Sequence, residues 1–113
     1  MKARYVQRGD SIDYTPMEDV AAGDVVILSG KLVGVAKLDI KQAELGALAL
    51  TGVYEIAKAE GTAFAAGMEV GWNASTGEAV AAGTSGSVKI GHAVELTGAT
   101  DKFVLVRLCQ GLG

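Results

Sequence analysis

Short apolar runs broken by turn residues every few positions set the rhythm of this chain. Val25-Val26-Ile27-Leu28 and Leu32-Val33-Gly34-Val35 flank Ser29-Gly30-Lys31, which reads as a hairpin with a short glycine-containing loop. Val70-Gly71-Trp72 and Glu78-Ala79-Val80 flank Asn73-Ala74-Ser75-Thr76-Gly77, a second hairpin with a longer loop. No window holds three helical turns of apolar residues at i, i+3, i+4, i+7 without a glycine inside. The pattern therefore predicts an all-β domain of short strands. The strands fall at residues 3–7, 11–14, 25–29, 32–37, 48–57, 68–73, 78–82, 88–96 and 102–108, with at most one short helical turn, over 40–45, closed by Gly46. Runs 25–28 and 103–106 are apolar on both faces. In a chain this small, such a strand needs a barrel wall or another subunit over its second face.

The two halves echo one another. Ala21-Ala22-Gly23-Asp24-Val25-Val26 parallels Ala65-Ala66-Gly67-Met68-Glu69-Val70, and the run from Leu32 to Leu38 parallels that from Lys89 to Leu96. Each half reads as a turn, a strand, a connection, then a strand broken by glycine before a small residue. Glycine inside a strand marks a bulge or a close backbone approach. Two such units would pack as a pseudo-symmetric small β-barrel; the alternative is chance resemblance between Ala/Gly/Val-rich stretches.

At 113 residues the chain has room for one core. It divides into residues 1–16, an N-terminal arm or edge strands, and 17–110, a single β domain. Half the chain is hydrophobic but only 5% is aromatic, so small residues carry the apolar share: 18 Ala and 13 Val stand beside 16 Gly and one Pro. Such side chains supply little apolar area each, and subunit association is a natural way to bury more. Ten Lys+Arg against thirteen Asp+Glu leave a net charge of −3, which argues against a nucleic-acid partner. No run approaches the ~20 apolar residues of a membrane span, and the first ten residues lack the apolar stretch of a signal peptide, so a soluble protein made inside a cell is expected.

Reactive chemistry is sparse. The single histidine, His92, lies in an alternating strand with no nucleophile motif near it, and the single cysteine, Cys109, reads as a small hydrophobe ending a strand. No Cys/His metal set exists, no calcium-loop periodicity accompanies Asp10, Asp13, Glu18 or Asp19, and no cofactor is expected. Gly83-Thr84-Ser85-Gly86-Ser87-Val88-Lys89 lacks the Gly-Lys-Ser/Thr ending and following helix of a phosphate loop. Arg8-Gly9-Asp10 and the sequon-like Asn73-Ala74-Ser75 read as turns. No catalytic residue is assigned.

One ordered set is more specific. Tyr5-Val6-Gln7-Arg8-Gly9-Asp10-Ser11-Ile12-Asp13-Tyr14-Thr15-Pro16 leads into Val20-Ala21-Ala22-Gly23-Asp24-Val25-Val26; Leu32-Val33-Gly34-Val35-Ala36, Glu44-Leu45-Gly46-Ala47-Leu48-Ala49, Gly52-Val53-Tyr54-Glu55-Ile56 and Ile90-Gly91-His92-Ala93 follow. This order resembles the tailed-phage capsid cement, or head decoration, family over nearly the whole chain. The resemblance implies a β-clip or small β-barrel fold and homotrimers bound to the major capsid protein on the outside of the phage head, assembled in the bacterial host cytoplasm. It implies a structural protein, not an enzyme. A non-viral small β-clip binding module is the alternative, and a trimeric nucleotide hydrolase-like β-clip enzyme another.

A cement protein needs surface that becomes buried only when its neighbours are in register. Lys2, Arg4, Tyr5, Val6 and Arg8 form a basic, partly apolar segment on an acidic chain and are the candidate capsid contacts, with an edge strand as their plain alternative. Tyr54, Trp72 and Phe103 are the large side chains that either fill the core or anchor an oligomer interface; Phe103 is expected in the core.

Overall fold

A computed structural model of the chain describes residues 2–110. Nine strands follow in order: β1 Ser11–Tyr14, β2 Val25–Leu28, β3 Leu32–Val35, β4 Gly46–Ala49, β5 Val53–Ala57, β6 Glu69–Asn73, β7 Glu78–Ala81, β8 Val88–Ala93 and β9 Phe103–Leu108. They form two antiparallel sheets, β1-β4-β3-β2 and β5-β9-β8-β6-β7. The all-β expectation holds, and no helix occurs among the described residues. Neither sheet closes into a barrel. The outer strands of the second sheet, β5 and β7, run no ladder between them and are joined by a single parallel bridge, Lys58↔Ala79, where Ala59 N–H donates to Ala79 O at 2.9 Å.

Period-two alternation builds the main core. Val104, Val106 and Leu108 of β9 point inward with Ile56, Phe64, Val70, Ala79, Ile90 and Ala93, and Val33 and Val35 cover them from the first sheet. A smaller cluster of Val20, Ala36, Ile40 and Leu48 lies on the other side of the first sheet, with Ile12, Tyr14, Val26 and Leu28 packed against it. This explains the uninterrupted apolar run of β2. Val25 and Ile27 pack against the main core, while Val26 and Leu28 pack against the smaller one.

The internal echo is a structural repeat. In the first half, Gly23 N–H donates to Ala36 O at 2.6 Å, Ala36 N–H to Asp24 O at 3.0 Å, and Val20 and Ile40 exchange both backbone bonds at 2.8 Å. In the second, Gly67 donates to Ala93 O at 2.7 Å, Ala93 to Met68 O at 2.8 Å, and Phe64 and Thr97 exchange bonds at 3.0 and 2.8 Å. Strands β1-β4-β3-β2 thus correspond in order to β5-β9-β8-β6, and β7, hung on the loop after Asn73, is the addition. The interrupting glycines also correspond, and both mark close approaches. A Cβ on Gly91 would lie 2.0 Å from Arg107 O, and one on Gly34 would lie 2.9 Å from Leu48 Cβ.

Two polar side chains tie segments outside the strands to the frame. After β9, Gln110 turns back on the first sheet: its Oε1 accepts from Val33 N–H at 3.0 Å, and its Nε2 donates to Val33 O at 2.7 Å and Leu50 O at 3.0 Å. Strand β3 pairs with β4 only at Val35↔Ala49, so the Gln110 amide supplies Val33 with the strand partner that β4 does not. Lys58 is only 4% exposed, and its ammonium donates to the carbonyls of Thr62, Ala59 and Ala99. That satisfies the buried charge with dipoles.

Three sequence expectations are corrected. Residues 3–7 form no strand; they are exposed throughout, because three cations and a glutamine between residues 2 and 8 leave no apolar face to bury. The run 48–57 is two strands in different sheets. Gly52, at φ +117°, turns the chain where hydrophobicity alone shows no break. Residues 40–45 make a bridge and a β-turn instead of a helical turn: Glu44 N–H bonds Lys41 O at 3.0 Å, and Ala43 sits at φ +67°.

Candidate interaction surfaces

Four surfaces or clusters follow from this frame. The first is the N-terminal segment. Lys2, Arg4, Tyr5, Val6 and Arg8 are all exposed. Arg8 Nη2 meets Asp10 Oδ2 at 3.0 Å, an ion pair with both side chains in solvent and therefore weak. Residues 2–9, drawn out at ~3.3 Å each, reach about 26 Å. The segment is an arm in this structure and not an edge strand.

The second is a groove of about 560 Å³ between the sheets. Val25 and Ile27 of β2, Tyr54 and Ile56 of β5, Trp72 of β6 and Tyr14 of β1 line it. Tyr54 and Trp72 are half-buried against the main core, so each is both core and groove. Tyr54 Oη donates to Thr51 O at 2.9 Å. The rim is acidic: Glu18, Asp19, Asp24 and Glu55 line it, with no Lys or Arg beside them. Asp24 Oδ2 accepts from Ala21 N–H and Asp19 Oδ1 from Gln42 N–H. Glu18 and Glu55 take part in neither of the two ion pairs among the described residues. Strand β2 ends its sheet, so one edge of it has no strand partner.

The third is the outer face of β5, β9 and β8. Phe103, expected in the core, is 50% exposed here. Its neighbours in β9 explain why: Val104, Val106 and Leu108 take the inward positions, which leaves Phe103, Leu105 and Arg107 outward. Ala57 pairs with Phe103 and Val53 with Arg107, and Val94 N–H bonds Leu105 O at 3.0 Å. Val53, Val94, Leu96 and Phe103 are exposed on this side, with Glu55 opposite Leu105 and Arg107 opposite Val53 among them. The aromatic that fills the core is Phe64, fully buried, in a stretch between Gly61 and Gly67 that reads as turn. The fourth is a smaller surface pocket lined by the exposed Leu38 and Leu45.

The residues with reactive side chains do not come together. His92 pairs with Arg107 across β8 and β9, and Cys109 is a half-buried free thiol whose N–H bonds Ile90 O at 3.0 Å. The hydroxyls of Thr84 and Ser87 donate to Ala81 O and Thr84 O, both at 2.6 Å, so the Gly83–Gly86 stretch is a self-contained turn. Lys31 is exposed beside Ser29 and Gly30, both at positive φ, as a primed hairpin turn requires. Among the described residues no group of three or more His, Cys, Asp or Glu could hold a metal ion.

No curated protein and no solved structure matches the chain. A family model described as phage cement protein matches residues 6–108 of its 113 residues. The chain belongs to the phage cement protein family, and its role is that of a capsid cement.

Proposed function

We propose that the chain is a non-enzymatic decoration protein that binds the major capsid protein on the outside of a phage head as a homotrimer and stabilises the shell. The family match over residues 6–108 carries this reading. The outer face around Phe103 supports it physically. Exposed large apolar side chains rimmed by polar residues mark association sites, and a core built mainly from Val, Ala and Ile leaves burial to be gained by assembly. We assign that face to contact between copies. The arm is assigned to the shell: Lys2, Arg4, Tyr5, Val6 and Arg8 are the proposed capsid contacts, with Lys2 and Arg4 farthest from the body. Three arms on one trimer multiply a modest affinity per site through effective concentration, and binding that favours only the assembled shell adds to its stability by mass action.

The test is co-sedimentation with heads that lack the protein. The purified chain should show a trimer's mass by light scattering and saturate heads. Lys2→Glu with Arg4→Glu should keep the trimer and lose heads at least tenfold, the effect of about 1.4 kcal/mol. A monomer that ignores heads refutes the reading.

A further inference from the structure

The acidic groove and the basic arm are complementary, and each is open to solvent. The arm carries Lys2, Arg4 and Arg8 around the apolar pair Tyr5-Val6. The groove offers four carboxylates around Val25, Ile27, Tyr54 and Trp72 and, along it, the free edge of β2. We propose that residues 5–8 of one copy lie in the groove of the next, as a strand added to β2, so that subunits are clasped head to tail by their own arms. This inference rests on the homotrimer proposed above and names what holds it.

Geometry favours exchange between copies. The arm leaves β1 and the groove follows β2, the opposite edges of a four-stranded sheet, three strand spacings or about 14 Å apart. Arg8 stands three residues before Ser11, where β1 begins, a reach of about 10 Å, so residues 5–8 fall short of the β2 edge of their own copy. A contact between two different patches closes a ring when its rotation permits, and a trimer is such a ring. Strand addition matches lengths: β2 has four residues, as has the segment 5–8. Main-chain bonds supply affinity in this mode and alternate side chains supply selectivity. The acidic rim also opposes the competing arrangement in which two β2 edges pair with each other, since like charges would face across the junction. The arm's one ion pair, Arg8 with Asp10, is exposed and is readily exchanged for a rim carboxylate. Lys2 and Arg4 then emerge beyond the groove and keep the shell contact proposed above, while Tyr5, Val6 and Arg8 pass from the shell to the neighbouring copy.

Trp72 is the chain's single tryptophan and lines the groove, so its fluorescence reports occupancy. The probe is a synthetic peptide of residues 1–10, added to a chain lacking residues 1–8 whose thermal unfolding matches the full chain's. The peptide should change Trp72 emission saturably. Its apparent affinity should fall about tenfold between 50 mM and 500 mM salt, as exposed charge pairs are screened. Glu18→Lys should weaken it severalfold, and a peptide with its three cations replaced by Glu should not bind. Light scattering should show that the full chain is larger than the truncated one. Failure of the peptide to perturb Trp72, equal binding of the charge-reversed peptide, or a monomeric full chain whose own arm shifts Trp72 would each overturn the clasp. Head binding by the full chain is read separately. If heads are saturated while the peptide is ignored, the cement reading stands and the clasp falls.

Discussion

Glycines 34 and 91 occupy equivalent places in the two halves, and replacing each by alanine measures what the repeat tolerates. Neither has a positive φ, so the cost of a methyl group is space and not backbone strain. At Gly91 the new Cβ would meet backbone: Arg107 O at 2.0 Å, Arg107 C at 2.9 Å and Leu108 Cα at 3.1 Å. Restoring an ordinary contact of about 3.4 Å to the carbonyl oxygen moves the strands apart by about 1.4 Å, the difference between 3.4 and 2.0. That separation breaks the Gly91↔Leu108 pairing and the Cys109 N–H bond to Ile90 O. Overpacking costs about 1–3 kcal/mol and each lost backbone bond about 1 kcal/mol net, so Gly91→Ala is expected to cost about 3–5 kcal/mol. A domain of this kind holds about 5–15 kcal/mol in all. At Gly34 the neighbour is the Leu48 side chain, with Cβ at 2.9 Å and Cδ1 at 3.2 Å. A side chain yields where a backbone cannot, and the expected cost is about 1–2 kcal/mol. Urea unfolding at one fixed protein concentration, followed by Trp72 fluorescence, compares the two. Equal costs within 1 kcal/mol, or a milder Gly91→Ala, would refute the backbone-contact argument.

Three other substitutions probe separate features. Gln110→Ala removes three hydrogen bonds that tie the end of β9 to Val33 and Leu50 and should cost about 2–4 kcal/mol in the same urea assay; a loss below 1 kcal/mol would mean the sheets are joined otherwise. Lys58→Met keeps the side-chain length but leaves the carbonyls of Thr62, Ala59 and Ala99 without their donor, for an expected loss of about 1–3 kcal/mol and faster amide exchange at Ala59. Phe103→Lys acts on a half-exposed residue and should move monomer stability by less than about 1 kcal/mol, while light scattering shows a loss of trimer; an unchanged mass would remove this face from the interface.

Where hydrophobic runs and glycine turns coincide, as in the β2–β3 hairpin, the strands were legible to within a residue or two. The repeat was legible too, because Ala-Ala-Gly before a strand specifies one turn in both halves. Phe103 was misjudged by size alone; its alternation with Val104, Val106 and Arg107 already pointed it outward, since one strand cannot bury both faces without a cover. Phe64 gave no such signal, for it enters the core from a single bridge to Thr97 and not from a strand. The groove was invisible in the sequence. Its walls come from β2, β5 and β6, and only the packing of two sheets brings Glu18 and Asp24 near Glu55. The arm was legible as chemistry, three cations around Tyr5-Val6, but whether such a segment pairs as an edge strand depends on tertiary context.

The position of Gln110 has a consequence for how the protein is made. Ribosomal synthesis delivers β1 to β4 first, yet the amide that completes the hydrogen bonding of Val33 and Leu50 belongs to residue 110. The first-made half therefore cannot reach its final bonding while later strands are still being added. Chains stalled anywhere before that glutamine carry an unfinished first sheet.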